Sequence, residues 1–391
     1  MSGIEDLLRD AYQEAARSVR PEHVRPAVVL PGPRDQRRSG GIRGRRQWTT
    51  FVPLAAAAAV AAVIGGTVAV PHLLRNAGPG PVTSPAIPGA PPFVVLQPYF
   101  GGDSAPSRLV VQAAGTRHVL GFVPAPHGTH WESVAATGSR TTFVAAAGSR
   151  GSNCAIRLYT LTLTASGKPA GLRPLNAPKI PGQLTSLAAS ADGQMVAYGS
   201  VQCSGPRSPG TIGVVAGGTV RRWNMPQNTS PASVSLTADG TELGYAELPY
   251  PPALLAPVHG TAGAWIMPTS SPPGSVLAHS RRVFAARGSG DVVSAVLSPD
   301  GTTMYVAAES SRQPNRLTLA AYRPADGALL RTLHTWENAQ GYVPGLAIGG
   351  SQLLIWAIYQ PSTFQVDLAS GTVKPFWVYT PAGEFPEAVA W

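Results

Sequence analysis

The residues best suited to chemistry lie together in the stretch PHGTHWE, which contains His127, His130 and Glu132. Two imidazoles three positions apart can bind the same zinc ion. A zinc site needs a further well-placed ligand, and none is evident at a suitable spacing. Histidines in a loop between strands are also commonly solvated. We therefore predict that the chain binds no metal ion and no other cofactor.

Cys154 and Cys203 are the only cysteines. Both fall at the ends of predicted strands in neighbouring repeats, in the part of the chain that we predict to lie outside the cytoplasm. An even number of cysteines in an oxidising compartment favours a disulfide, and two free thiols are the alternative. We predict a Cys154–Cys203 bond. A mass shift on alkylation without reductant would contradict it.

The net charge of +10 comes almost entirely from arginine, because only Lys168, Lys179 and Lys374 are lysines. Ten arginines and six acidic residues in segment 1–46 account for +4 of this charge. The rest is spread thinly, without the basic, aromatic-interleaved stripe that is typical of nucleic-acid-binding surfaces. We predict that the chain does not bind nucleic acid.

Three stretches share one pattern, in which an apolar run, an Asp-Gly turn and a second apolar run follow one another. They are LAASADGQMVAYGS, VSLTADGTELGYAE and AVLSPDGTTMYVAAE, with the pairs Asp192–Gly193, Asp239–Gly240 and Asp300–Gly301. Aspartate can accept hydrogen bonds within its own turn, and glycine can adopt a positive φ. We predict structural turns; the alternative is a rim of carboxylates that binds cations.

A larger unit contains each of these turns. Segments 133–149 and 345–359 fit the same frame without Asp-Gly, and a second hairpin follows most copies. Four strands per unit are typical of a β-propeller blade. Five units begin near residues 132, 185, 232, 292 and 343. Three strands in 93–123 lack a first strand, which the final segment 387–391 can supply. The predicted fold class is therefore all-β, a six-bladed β-propeller over 93–391, with seven blades as the alternative.

The Ser-x-Asp-Gly-x-x-apolar-apolar turn resembles the WD-like repeats of TolB-type propellers. The resemblance extends over about 300 residues and is clear in three units. It implies the propeller fold. It leaves function open, because propellers serve in binding, scaffolding and catalysis alike.

Segment 48–70, WTTFVPLAAAAAVAAVIGGTVAV, is 23 residues without a charged side chain. That length can cross a hydrocarbon core of roughly 30 Å. Six arginines lie between residues 34 and 46, whereas only Arg75 follows the segment closely. The positive-inside rule then predicts a transmembrane helix with a cytoplasmic N-terminus and the rest of the chain outside. The alternatives are a cleaved signal peptide or a twin-arginine export signal. A mature N-terminus near residue 72 would exclude the anchor.

The predicted cytoplasmic tail, 1–47, begins with an amphipathic helix over residues 2–19. Its apolar stripe predicts a cytoplasmic protein partner; the alternatives are a place on the inner leaflet or no specific role. The Pro- and Gly-rich segment 71–92 is predicted to be an extended linker. This layout resembles membrane-bound actinobacterial proteins with an outer propeller, including some anti-sigma factors. The zinc-binding His-xxx-Cys-xx-Cys signature of one anti-sigma class is missing.

The stretch Glu247–Pro273 is the longest interruption between repeats. It is either an irregular loop at a blade edge or a lid over one face, with Tyr250, Trp265 and Met267 forming an interaction surface. Aromatic residues and methionine are favoured at such surfaces.

The functional prediction is a non-enzymatic, single-pass membrane protein whose propeller binds a ligand or protein outside the cell. It could signal to a cytoplasmic partner through residues 2–19. One alternative is an anti-sigma-like transmembrane regulator. Another is a propeller enzyme, such as a lactonase or dehydrogenase, which would need carboxylates and histidines at the central channel. No Gly-x-Ser-x-Gly turn, zinc-protease motif or phosphate-binding loop is present, and the repeats predict no such cluster in the channel.

Overall fold

A computed structural model describes residues 91–98, 107–149, 154–203, 209–249, 263–286, 292–310, 313–337, 344–357, 363–378 and 386–391. They are built almost entirely of strands, with one 3-10 turn at Val276–Ala278. Among these residues there is no helix with the length and apolarity needed to span a membrane. The predicted span 48–70, the tail 1–47 and most of the linker 71–92 lie outside the described residues.

Six antiparallel sheets follow one another around the propeller, and each has four main strands. The first sheet contains β1 (Phe93–Pro98), β2 (Arg108–Ala113), β3 (Val119–Pro124) and the final strand β26 (Pro386–Ala390). The second contains β4 (Thr129–Ala136), β5 (Thr142–Ser149), β6 (Ala155–Leu163), β7 (Pro169–Pro174) and the short β8 (Ile180–Pro181). The third contains β9 (Gln183–Ala189), β10 (Met195–Val201), β11 (Thr211–Ala216) and β12 (Thr219–Asn224).

The fourth sheet contains β13 (Thr229–Leu236), β14 (Glu242–Pro249), β15 (Gly263–Pro268) and β17 (Arg281–Ala285). Between β15 and β17, the two-residue β16 (Gly274–Ser275) pairs with β12 and so adds an edge to the third sheet. The fifth contains β18 (Val292–Leu297), β19 (Met304–Ser310), β20 (Gln313–Tyr322) and β21 (Leu329–Glu337). The sixth contains β22 (Pro344–Gly349), β23 (Gln352–Ala357), β24 (Thr363–Asp367) and β25 (Val373–Phe376).

The prediction of six blades is confirmed, and the seven-bladed alternative is wrong. The innermost strands are β26, β4, β9, β13, β18 and β22, and each contacts the next around the channel. The ring closes at the first blade, where β26 pairs antiparallel with β1 and places Val389 opposite Leu96. The last residue, Trp391, is 3% exposed, and its Nε1 donates a hydrogen bond to the Pro91 carbonyl oxygen over 3.2 Å.

The hydrophobic core consists of six clusters, one between each pair of neighbouring blades. Strand β5 shows why successive residues in the middle strands of a blade are apolar. Phe143 and Ala145 face the first blade, whereas Val144 and Ala146 face the third. Since each blade is buried on both faces, its middle strands lack the alternation of polar and apolar residues that is typical of a half-exposed sheet.

The Asp-Gly turns connect the two innermost strands of their blades. The Ser298 hydroxyl donates to Asp300 Oδ1 over 2.5 Å, and the Thr302 N–H donates to the same oxygen over 3.1 Å. Gly301 has a φ of +72°, where a side chain would be strained, and its N–H donates to the Ser298 carbonyl oxygen. Hydrogen bonds to the carboxylate lower the pKa of Asp300, led by that from Ser298.

The other two turns repeat these bonds. Asp192 and Asp239 each accept a 2.6 Å bond from the hydroxyl two residues earlier, and their glycines also have positive φ. Neighbouring turns are joined by backbone bonds, since the Ala191 N–H donates to the Ala238 carbonyl oxygen and the Ala238 N–H donates to that of Pro299. This arrangement agrees with a structural role for all three turns.

Replacement of Asp300 by alanine is expected to lower the free energy of unfolding by about 1–2 kcal/mol, because several net-favourable hydrogen bonds are lost. Asp300→Asn retains the Oδ1 acceptor and should have a smaller effect. Urea denaturation measures both. An unchanged free energy of unfolding in Asp300→Ala would show that these hydrogen bonds do not stabilise the turn.

Candidate binding site at the polar end of the channel

The two ends of the central channel differ in chemistry. At the end formed by the Asp-Gly turns, the inner strands surround a cavity of about 380 Å³. Its walls come from all six blades and combine backbone and polar groups with apolar side chains, which include Val134, Leu187, Val234, Val296, Ile348 and Val389. At the opposite end, which we call the polar end, four of the six inner strands have polar residues at or near their beginning, among them Glu132 in β4 and Glu387 in β26.

Four of the six inner strands have a β-bulge near their beginning. The unpaired residues are Glu387 in β26, Glu132 in β4, Thr185 in β9 and Ala232 in β13. By contrast, β18 and β22 pair with their neighbours without a shift in register. A bulge turns a side chain away from the regular alternation of a strand. The first and second blades therefore each present a glutamate at the same structural position.

Glu132 extends from the second blade to the third. Its Oε2 accepts a 2.6 Å hydrogen bond from the Leu184 N–H, and its Oε1 lies 3.5 Å from Nε2 of His130. Gly148 provides the space, because a Cβ at that position would overlap the carboxylate. The Glu132 side chain is only 5% exposed. Burial raises its pKa to about 7, with a further upward contribution from the negative charge of Glu387, while the Leu184 N–H acts in the opposite direction.

Gln97 connects Glu387 with the second blade. Its Nε2 donates to Glu387 Oε2 over 2.9 Å and to the Trp131 carbonyl oxygen over 3.0 Å. These two acceptors fix the orientation of the Gln97 amide. In the reverse orientation, Oε1 would face both acceptors and could donate to neither. Gln97 is 4% exposed, and its Oε1 has no hydrogen-bond partner in the described part of the chain. A buried acceptor of this kind is uncommon and requires an explanation.

Glu387 is exposed to solvent, although the surrounding protein reduces the hydration of its carboxyl group and raises its pKa. The described ion pairs bring no arginine or lysine to either glutamate. Two carboxylates and a buried amide oxygen thus share one end of the channel, and His130 is the basic side chain beside Glu132 in the described part of the chain. Such a site can bind a positively charged group.

The structure places the predicted histidines differently. His130 lies beside Glu132, whereas His127 is exposed in the turn before β4. In the ranges that the structure describes, no three histidine, cysteine or acidic side chains could hold a metal ion. His130 lies 3.5 Å from Glu132, and the charge of Glu387 acts on the same carboxyl group.

Of the predicted interaction surface Tyr250, Trp265 and Met267, the structure describes the last two residues. Met267 is 1% exposed and lies in the core between the third and fourth blades, so its inclusion is wrong. Trp265 is half-buried, stacks on Tyr245 at 6.5 Å between ring centroids and has the Arg282 guanidinium over its ring. Tyr250 lies outside the described residues.

Cys154 and Cys203 are joined in the structure by a disulfide with a Cα–Cα distance of 6.2 Å, which is within the usual range. The bond connects the beginning of the third strand of the second blade with the end of the second strand of the third blade. It lies at the same end of the propeller as Glu132.

Glu387 and Gln97 escape prediction from sequence, because neither belongs to a recognisable motif. One signal is nevertheless present. The inner strands of the first two blades contain Glu-Ala-Val-Ala at 387–390 and Glu-Ser-Val-Ala at 132–135. Alignment of these two segments would have paired the glutamates.

No protein-family model and no curated protein matches the chain by sequence. Solved structures share its fold. TolB from Acinetobacter baumannii superposes with a TM-score of 0.52 at 14% identity, covering 78% of this chain and 68% of TolB. At this identity the likeness shows the propeller fold alone.

Two further likenesses are weaker. A chain of a nidogen/laminin complex has a TM-score of 0.48 at 11% identity, with 76% of this chain and 97% of that chain covered. A putative 6-phosphogluconolactonase from Bacteroides fragilis has a TM-score of 0.39 at 10% identity, with 76% and 96% covered. Neither carries an argument about this chain.

Proposed function

We propose that the chain is a non-enzymatic binding protein whose propeller binds a positively charged group at the polar end of its channel. The observation that carries this proposal is the cluster of Gln97, Glu132 and Glu387. Among the described residues, the buried Gln97 amide oxygen has no hydrogen-bond partner, and it lies beside two carboxyl groups. The apolar segment 48–70 and the arginines before it support an anchored chain with an extracytoplasmic propeller. The amphipathic segment 2–19 supports a cytoplasmic partner, of which an anti-sigma-like role is one form.

The chemistry of the cluster favours an organic cation. An ammonium or guanidinium group can donate several hydrogen bonds at once, and such charge-assisted bonds contribute roughly 1.5–3 kcal/mol each. Bound at Glu387, this group would have both the Gln97 acceptor and the Glu132 charge beside it. Two rigid blades hold these oxygens in place through the Trp131 and Leu184 backbone.

Binding of n-butylguanidinium to the full chain in detergent tests the proposal. We expect saturable binding that is at least tenfold weaker in Glu387→Gln, because that variant removes the accessible charge. Isothermal titration calorimetry measures the affinity. n-Butanol is the neutral control ligand, and Glu337→Gln is the control variant, because Glu337 is 68% exposed on an outer strand.

Equal binding of the butanol control, or an unchanged affinity in Glu387→Gln, would contradict the site. A loss of equal size in Glu337→Gln would show that only overall charge matters. Folding of each variant is checked by its thermal unfolding midpoint.

An enzyme is the second candidate, and one observation favours it. Glu132 has a pKa near 7 and lies beside His130, which are properties of a general base. Release of acid from simple lactones, abolished in Glu132→Gln, would establish this alternative. Binding of the cation without any turnover would favour the first.

A further inference from the structure

A second cleft lies between the second and third blades, next to the disulfide. It has a volume of about 580 Å³ and is lined by residues from both blades, including both cysteines. On one side, the segment Pro181–Gly182 forms the wall, and the Gly182 N–H donates to the Cys154 carbonyl oxygen over 3.1 Å. The disulfide and this backbone bond therefore hold the two walls together.

The charged residues that line this cleft are both basic. Lys179 comes from the chain before β8, and Arg222 comes from β12. Among the described residues that line the cleft there is no aspartate or glutamate. Both side chains are exposed, and in the described ranges neither forms an ion pair with a carboxylate. Positive charge without an acidic partner in a concave site favours an anion.

Tyr198 gives the arginine a defined orientation. Its hydroxyl accepts a 3.1 Å hydrogen bond from Nε of Arg222 and is completely buried. Because Nε is occupied by the tyrosine, the two terminal nitrogens of the guanidinium are left for a ligand. A guanidinium fixed in this way presents a planar pair of donors, which matches the oxygens of a carboxylate or a phosphate.

Polar and apolar groups complete the lining. Asn224 and Thr211 provide further hydrogen-bonding groups, while Val201 and the Pro181 ring offer apolar surface. A small anion with an apolar body can satisfy both parts. From these features we infer that the cleft is a binding site for a small soluble oxyanion, a carboxylate or a phosphate monoester, held by Arg222 and Lys179.

Equilibrium dialysis of the full chain in detergent against phenyl phosphate tests the inference. We expect one saturable site, with affinity at least tenfold lower in Arg222→Gln and several-fold lower in Lys179→Gln. Arg173→Gln is the matched control, since Arg173 is an exposed arginine of the second blade that does not line the cleft. Benzoate replaces phenyl phosphate to distinguish carboxylate from phosphate, and benzyl alcohol is the neutral probe.

Tyr198 is expected to act as a positioning residue. Tyr198→Phe should weaken phenyl phosphate binding several-fold while leaving weak competition by chloride unchanged, because a spherical ion does not need an oriented guanidinium. A general structural defect would reduce both. Reduction of the disulfide should also weaken phenyl phosphate binding.

Binding of benzyl alcohol with equal affinity would overturn the inference, and so would equal losses in Arg222→Gln and Arg173→Gln. Glu387→Gln should leave phenyl phosphate binding intact. The anion site and the cation site are thus tested by different variants: Arg222→Gln should weaken phenyl phosphate binding, and Glu387→Gln should weaken n-butylguanidinium binding.

Discussion

Deletion of residues 386–391 is expected to abolish the cooperative thermal unfolding of the propeller. Strand β26 is the innermost strand of the first blade. The other strands of this blade, β1, β2 and β3, come from the beginning of the propeller. Val389, Ala390 and Trp391 are each at most 5% exposed, and the Trp391 ring packs against Phe376 with centroids 5.6 Å apart. Without the strand, the edge of β1 and the cores on both sides of the first blade become exposed.

The expected loss is large compared with the stability of a domain. Burial of a valine and a tryptophan contributes roughly 1.5–3 kcal/mol each, and the ladder with β1 adds several hydrogen bonds. The sum, roughly 5 kcal/mol, is of the order of the whole folding free energy of a typical domain. An open sheet edge also favours aggregation.

A peptide of the sequence PEAVAW separates loss of this strand from general damage. Added to the truncated chain, the peptide should restore a cooperative transition in differential scanning calorimetry, whereas a scrambled peptide should not. Glu387→Gln is the matched variant that retains the strand, and it should unfold cooperatively. Cooperative unfolding of the truncated chain alone would show that the ring does not need β26.

The propeller is predictable because its local signals repeat. Asp-Gly turns supply the same chemistry in three blades, and Asp300 accepts the same hydrogen bonds as Asp192 and Asp239. Repetition also indicates that the first blade lacks a strand, which segment 387–391 can supply. Each repeat is recognised from residues close together in the sequence, which a single sequence shows directly.

The candidate site depends on contacts that no local pattern encodes. A bulge in β4 turns Glu132 toward Leu184 of the next blade, and Gln97 meets Glu387 across 290 positions. Met267 is a residue for which the sequence pattern predicts exposure although the residue is buried. It follows a Pro-rich stretch of the sequence, yet both faces of its strand are covered by neighbouring blades. Burial is therefore set by blade packing rather than by the composition of the segment.

Replacement of Glu132 by glutamine is expected to stabilise the propeller at pH 8 by about 3 kcal/mol. Burial raises the pKa of Glu132 from 4.5 to about 7, so between these values the folded protein keeps a proton that the unfolded chain has lost. Stability of the wild type therefore falls as pH rises from about 4.5 to about 7, at about 1.4 kcal/mol per pH unit for full linkage. Glutamine is uncharged at every pH and can still accept the Leu184 hydrogen bond.

Urea denaturation from pH 4 to pH 8 measures this difference. The two free energies of unfolding should converge near pH 4 and separate as pH rises, with the variant more stable. Asp367→Asn is the control of opposite sign, because hydrogen bonds from Ser370 lower the pKa of Asp367 to about 2. In the wild type, the ionised Asp367 carboxylate stabilises the folded state above about pH 3.8, and this stabilisation declines as pH falls toward 2. The Asp367→Asn variant should therefore be less stable than the wild type at pH 8.

A pH-independent difference between wild type and Glu132→Gln would contradict a buried carboxyl with a raised pKa. The same titration bears on binding, because only ionised Glu132 adds negative charge to the site. The affinity for n-butylguanidinium should consequently rise through pH 7 in the wild type and remain flatter in Glu132→Gln. Over the same pH range, the free energy of unfolding of the wild type should fall and its affinity for the cation should rise. Both changes are expected because ionisation of the buried Glu132 carboxyl group destabilises the fold and adds negative charge to the site.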